Sequence, residues 1–379
     1  MIFERAREVA DAVLYEGYAL YPYRASSAKN RVRWQFGVLA PKAWSVAGGC
    51  EAWQSRTECL VEAGPEFAVT GKLRFLQATR RTIEAVAPDA RGTFRPALAL
   101  DVDGTLWLPW EEGTLREVDF EALLGEGAAE SAGVAFAIPG AHSMEPILAG
   151  TRRVVGRCVH VATPLAGVVR VSAERVGEGL YRLRVLVENL TAWDEADAPR
   201  AAVVSASLLG AHTLLAVRGG KFLSMTDPAP HAREAARGCR NQGTWPVLVG
   251  AVEARDEMLS SPIVLYDYPE IAPESPGDLF DSTEIDEILT LRTMTLTDAE
   301  KREARATDAR AGAIIDRADG MTPDALARLH GTWSRRSQDG HVTIGGVSVA
   351  KGSRVRILPS ARRLRAMRCE WEMLGRACA

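Results

Sequence analysis

The sequence predicts a mixed α+β protein, predominantly antiparallel β, with a central β-sandwich-like or curved sheet and a helical pair near the C-terminal third. Three observations carry that expectation. Between about 154 and 225, VVGRCVHVAT, GVVRVSAERV, GLYRLRVLVENLT, AAVVSASLLGAHTLLAV and KFLSM follow one another, separated by Gly, Asp and Pro. Helices long enough for βαβ crossovers are missing between them, so the strands should pair antiparallel. Gly177-Glu178-Gly179 has the chemistry of a hairpin turn. Thr297 with Glu300 three positions on forms a capping box ahead of EKREARATDARAGAIIDRA.

The remaining elements follow in order. Phe3, Val9, Ala12 and Val13 are spaced for a short amphipathic helix over 3–15. Pro22 argues against its continuation, Ser26, Ser27 and Asn30 suggest a turn, and Val32, Trp34 and Phe36 alternate as in a half-buried strand. TECLVEAG and FAVTGKLRFLQAT read as two strands, and a Gly104 turn joins strands at 98–102 and 106–110. The stretch 116–135 is acidic and rich in Ala and Gly, with a loop at GEGAAESAG. Four prolines between 262 and 276 mark an extended arm. A second short helix should begin at Thr322, with Pro323 at its first position. HVTIGGVSVAKGSRVRIL reads as two strands around Lys351-Gly352, and the tail after it as a basic helix. The expected domains are a mixed α+β domain over 1–150 and an antiparallel β domain over 151–252. An acidic arm over 253–296, the helical pair over 297–335, and a short hairpin with basic tail over 336–379, an incomplete small barrel, follow.

Apolar residues make up 47% and charged residues 25% of the 379, ordinary globular values. No apolar run is long enough to span a bilayer, and the charged N-terminus lacks a signal-peptide core, so a cytoplasmic location without membrane insertion is expected. Six cysteines, none in a Cys-x-x-Cys pair, do not make a disulfide scaffold. The net charge of −3 hides a division: 253–300 holds 13 acidic residues against Arg255 and Arg292, whereas 351–379 has eight basic residues against Glu370 and Glu372. Such separation orients charged partners.

Candidate chemistry is sparse. ALALDVDGTLWLPW resembles the first motif of haloacid-dehalogenase-like phosphatases. The resemblance would make Asp101 the nucleophile and Asp103 the acid–base residue around Mg²⁺. Ser224 or Thr226, Lys221, Asp278 and Asp281 are the available complements, but Lys221 precedes the hydroxyls, whereas that family places its Lys in a later motif. Asp-Gly between two apolar strands also reads as a hairpin turn, the better explanation. Cys158 and His160 alternate on a strand and present two ligands suited to zinc or nickel, as a metal-delivery protein would need. Cys50 and Cys59 match no zinc spacing, and His142 near Glu145 is a weaker pair still. No nucleotide-binding glycine loop or nucleophile elbow is present, and no cofactor is expected. The reading favours a non-enzyme.

Two segments are suited to contacts. Tyr15, Tyr18, Tyr21, Tyr23 and Trp34 interleave with Arg24, Lys29, Arg31 and Arg33, a composition found at protein interfaces. It would also suit single-stranded nucleic acid, but the slightly acidic chain and the short basic cluster weigh against that. Asp278, Phe280, Asp281 and Asp286 lie in the acidic arm, where apolar anchors alternate with carboxylates. A protein partner is expected, with a homo-oligomer left open.

Several segments together resemble an uncharacterised bacterial family encoded alongside high-affinity, actinobacterial-type uptake [NiFe]-hydrogenases. They are LYEGYALYPYRASSAKNRVRWQFGVL, TECLVE, HTLLAVRGGKFLSMTDP, CRNQGTWPVLVG and the acidic stretch from SSPIVLYDYPEIAPESPGDLFDSTEIDEILTL to TMTLTDAEKREARATD. The resemblance implies an accessory or scaffold role in assembling or maturing the hydrogenase, through contact with one of its subunits or a maturation factor. It carries over no catalytic residue, and DVDGT lies outside it. Members of that family continue past RVRILPSARR with more strand, which puts any function of a C-terminal barrel in doubt here.

Overall fold

In the computed structural model, which describes residues 3–15, 34–87, 92–125, 133–150, 152–269, 293–307, 309–320, 341–344 and 347–350, a single long strand organises the chain. β1 (Gln54–Val86) spans 33 residues and joins the two strands expected over 57–79. Its pairing shifts register between Ala63 and Ala68, around Pro65, whose missing N–H interrupts the ladder while the backbone stays extended. The strands that follow are β2 (Phe94–Ala97), β3 (Leu100–Val102), β4 (Thr105–Trp107), β5 (Trp110–Gly125), β6 (Val134–Ile138) and β7 (Ala141–Ala149). Then come β8 (Arg153–Ala162), β9 (Leu165–Gly177), β10 (Leu180–Asn189), β11 (Leu209–Phe222), β12 (Trp245–Val249) and β13 (Glu257–Ser261).

The protein is mixed α+β with a large antiparallel sheet, as the sequence predicts. One edge of β1 pairs in turn with β10, β5 and β2, and the other with β11 and β8. The main path runs β12-β13-β11-β1-β10-β9-β6, with β7 added outside β8. The sheet curls on itself. Phe75 of β1 and Phe136 of β6 lie three strands apart on that path, yet their ring centroids are 5.8 Å apart. Inside the curl, Phe67, Leu73, Phe120, Leu165, Leu183 and Leu215 form the main core. Burying a side chain of that size stabilises the fold by about 1.5–3 kcal/mol.

Segments 1–150 and 151–252, expected as separate domains, share this sheet, and Met1–Met321 is one compact unit. The acidic arm also begins later than expected. Met258, Leu259, Ser260 and Ser261 are buried in β13, between β11 and β12.

Helices cover the sheet from outside. α1 (Glu4–Tyr15) buries Ala6, Ala10 and Val13, behind Phe3, against Leu214, Val247, Val249 and Leu259. The expected strand over 32–36 does not form at its described residues: Trp34 (φ 61°) and Gly37 (φ 58°) both adopt left-handed conformations that turn the chain. α2 (Lys42–Val46) follows Pro41. The AAVVSAS segment, expected as strand, begins as α3 (Arg200–Val203) because Pro199 before it presets a helical entry. α4 (Arg233–Gly238) covers Leu60, Leu180 and Leu223.

The capping box is present: Glu300 N–H donates to Thr297 Oγ1, and Thr297 N–H to Glu300 Oε2 at 2.8 Å. The helix expected beyond it breaks into α5 (Asp298–Arg305) and α6 (Ala309–Asp319). Arg81, far away on β1, donates to the carbonyls of Ala306 (2.6 Å) and Thr307 (2.8 Å), which draws those groups away from a continuing helix. The helix expected from Thr322 lies outside the described residues.

Thr322–Ala379 is a second unit, in which β14 (His341–Ile344) pairs with β15 (Val347–Ala350). Ile344 pairs with Val347 and His341 with Ala350, so the described pairing precedes the expected Lys351-Gly352 turn, which lies outside the described residues.

Candidate functional site

β8 lies between β1 and β7, and its register decides which side chains meet. Cys158 is opposite Ile83 on β1 and Glu145 on β7; His160 is opposite Arg81 and Ser143. Alternation puts Cys158 and His160 on one face, and Cys158 Sγ is 3.7 Å from His160 Nε2. Toward one end, Cys158 packs with Ile83, Ile147 and Val102 beneath the β3–β4 hairpin. Toward the other, Ser143 and Glu145 are exposed and His160 is half-buried, so the pair sits at the rim of a small core.

Burial pushes the Cys158 thiol above its ordinary range. The Arg81 charge opposes this, and Glu145 and Glu112 reinforce it. The group is therefore a thiol at neutral pH, not a ready nucleophile. Arg81 is occupied: Nε donates to Leu108 O at 3.1 Å, and one terminal nitrogen pairs with Glu112 at 2.8 Å while the other holds the end of α5. Among the described residues, no three His, Cys, Asp or Glu side chains are gathered around a common metal position. Cys59 faces the main core with its thiol pushed far up by burial, while Cys50 is exposed beyond α2, so these two share no site.

Asp101 and Asp103 occupy a hairpin. Val102 pairs with Thr105 across Asp103 (φ 49°) and Gly104 (φ 84°), the left-handed pair of a tight reversal. Asp101 is paired with Arg302 of α5, and Asp103 Oδ2 accepts from Gly150 N–H at 2.8 Å. Ser224 and Thr226 both donate to Asp267 Oδ2, at 2.5 and 2.7 Å, while Lys221 is exposed on β11. Leu248 N–H bonds the other oxygen of Asp267, so this cluster fastens a loop to β12.

Of the aromatic–basic segment, Trp34 is described. It is buried against Leu14, Val38, Leu76 and Leu209, and its carbonyl accepts from Arg200 at 2.5 Å. It belongs to a core rather than to the interface expected for it. The Tyr15 side chain and Tyr18, Tyr21, Tyr23, Arg24, Lys29, Arg31 and Arg33 lie outside the described residues, as do Asp278, Phe280, Asp281 and Asp286.

Two surface features were not anticipated. The outer face of β7 and β8, opposite to Cys158, exposes Met144 (52%), Leu148 (45%), Val154 (43%) and Val161 (44%) beside Pro146. The alternation that puts Met144 and Leu148 on one face of HSMEPILA is visible in the sequence, but which face lies uncovered is not. A polar cleft of about 600 Å³ opens between the β9–β10 hairpin and α4. In it His231 Nε2 is 2.7 Å from Glu62, and Arg182 is 3.2 Å from Glu174. Its acids and bases largely answer one another.

No family model and no curated protein matches this chain.

Proposed function

We propose that this chain is a non-catalytic accessory or scaffold protein that assists assembly or maturation of a [NiFe]-hydrogenase through protein–protein contacts. The exposed apolar stripe of Met144, Leu148, Val154 and Val161 is the observation that carries the reading. Large apolar side chains grouped on one open sheet face mark contact sites. Edge-to-edge strand addition fits this place less well than face-to-face docking, because Pro146 and Glu145 in the outermost strand are residues that blunt an edge. The side chains suited to attack are otherwise engaged: Asp101 by Arg302, Ser224 by Asp267, and Cys158 as a protonated thiol. The hydrogenase assignment of the partner rests on the sequence resemblance, and the acidic arm is proposed as a second contact.

No helix among the described residues is long and apolar enough to cross a membrane. A cytoplasmic place of action is part of the proposal.

The test is purification of the tagged full chain from its native cell, with partners identified by mass spectrometry. A hydrogenase subunit or maturation factor should co-purify and be lost in Met144→Glu/Val161→Glu. Reversal of Asp278, Asp281 and Asp286 should weaken it at moderate salt. Recovery of no such partner, or unchanged recovery with the face variant, overturns the reading.

A further inference from the structure

We propose that the cavity of about 310 Å³ beside β12 binds a small monocarboxylate with an apolar body, its carboxylate on Arg255. Three segments meet there. The chain leaving β11 supplies Leu223, β12 and its connection to β13 supply Leu248, Val252 and Arg255, and the chain after β13 supplies Asp267 and Tyr268. The volume lies at the lower end of the range of about 300–1,000 Å³ for small-molecule sites, which combine a mostly apolar lining with a few fixed polar groups.

Two residues of the lining are held in unusual backbone conformations. Arg255 (φ 51°) and Tyr268 (φ 55°) are left-handed, a region that residues with a Cβ rarely adopt and that glycine enters freely. Neighbouring bonds fix both. Phe222 N–H donates to Arg255 O at 2.7 Å, while Tyr268 N–H donates to Leu248 O at 2.7 Å and its hydroxyl to Val252 O at 3.2 Å. Such strain persists where the surroundings over-determine it, and it clusters where a side chain must be aimed at a ligand. Here it brings an arginine and an aromatic ring to one cavity.

Arg255 supplies the uncompensated charge. Among the described residues its guanidinium has no ion-pair or hydrogen-bond partner. Its charge is felt at the Tyr268 hydroxyl, which places it near that ring. The acids are occupied: Leu248 N–H, Ser224 and Thr226 donate to Asp267, and Asp227 is engaged as well. A ligand carboxylate can therefore take the guanidinium fork in the bidentate geometry that suits it. The two aspartates on the lining set the ligand's charge, since they repel a doubly charged phosphate more than a monocarboxylate. Leu223 and Leu248 are buried and Val252 is exposed, so an aliphatic or aromatic body finds apolar surface beneath it and an open way in.

Saturation-transfer-difference NMR of the full-length protein with phenylacetate and 4-methylpentanoate, followed by calorimetry, tests the site independently of any hydrogenase partner. At least one acid should bind. Phenylacetamide, which lacks the charge, and inorganic phosphate, which lacks the body, should each bind more weakly by about tenfold or more. Arg255→Gln should weaken the acid by about the same factor. Arg255→Gly should lose binding equally while melting no lower than the wild type, because glycine suits the left-handed backbone. Arg218→Gln removes an exposed cation outside the cavity and should leave affinity unchanged. Both Arg255 variants alter an exposed side chain, so they keep the fold. No signal from either acid, phenylacetamide binding as tightly as phenylacetate, or an affinity indifferent to both Arg255 variants overturns the proposal.

Discussion

Asp101 and Arg302 form an ion pair that ties the β3–β4 hairpin to α5. Its two side chains are about half exposed, so the pair contributes at most about 1 kcal/mol. Arg81 fastens the chain just past the same C-terminal end of that helix from a more buried position, with bonds to two carbonyls and to Glu112. Hydrogen bonds to a charged donor are worth about 1.5–3 kcal/mol each, and their loss strands buried carbonyls. Arg302→Ala should therefore cost less than about 1 kcal/mol in urea unfolding, and Arg81→Ala several times that. Equal costs would show that the helix is held mainly from its Arg302 face.

The capping box of α5 gives a local prediction. Thr297→Ala removes the acceptor for Glu300 N–H and should lower stability by about 1 kcal/mol. Thr297→Ser should recover most of the loss, because the hydroxyl is what the helix end needs. Thermal melts of the three proteins check this.

That box was legible in the sequence for the same reason as the Gly179 and Asp103-Gly104 reversals: each is specified by residues within a few positions of one another. Features set at long range were not. Nothing near Ala306 announces that Arg81 will end its helix, and nothing in TECLVEAG and FAVTGKLRFLQAT shows one strand passing Pro65. β13 was hidden by the acidic residues around it, although Met258 and Leu259 drive its burial. At the candidate site, the Cys158–His160 alternation is local and was readable. The position of Glu145 depends on the β7–β8 register, which no property of either strand alone determines. Trp34 was misplaced because aromatic–basic alternation carries no information about a left-handed backbone.

Acid should weaken the fold in two stages. His212 is buried, and burial, with the Arg74 charge beside it, pushes its pKa from 6.5 to about 3, against the bond its ring makes to Gly210 O. Below pH 6.5 the unfolded chain gains a proton that the folded chain refuses, so stability falls as pH falls toward about 3, by at most about 1.4 kcal/mol per unit. Burial alone would raise Glu58, but hydrogen bonds from Arg56, Arg184 and the Arg240 N–H outweigh it and hold it below 4.5. Glu117 is likewise lowered, against burial, by Lys72, Arg74 and Arg7. Their contribution is complete above pH 4.5 and disappears as pH falls through their folded-state values. His212→Gln should flatten urea-derived stability between pH 6 and 5 and leave the steeper loss below 4.5. An unchanged slope in the upper window would assign it to another group.

Gly71 and Phe120 make the sharpest packing prediction. They are opposite each other on β1 and β5, and a Cβ at Gly71 would lie 2.1 Å from the Phe120 ring. Phe120 is 4% exposed and packed in the main core, so the ring cannot swing aside without displacing neighbours. Overpacking of this kind costs typically about 1–3 kcal/mol. Gly71→Ala should fall in or above that range, whereas Gly64→Ala on the same strand, where a Cβ meets nothing within 4 Å, should stay within about 0.5 kcal/mol. A double-mutant cycle isolates the contact: Phe120→Leu removes the flat ring, so Gly71→Ala should cost clearly less in that background. Additive costs would mean that the penalty at Gly71 arises from the strand backbone and not from the ring lying over it.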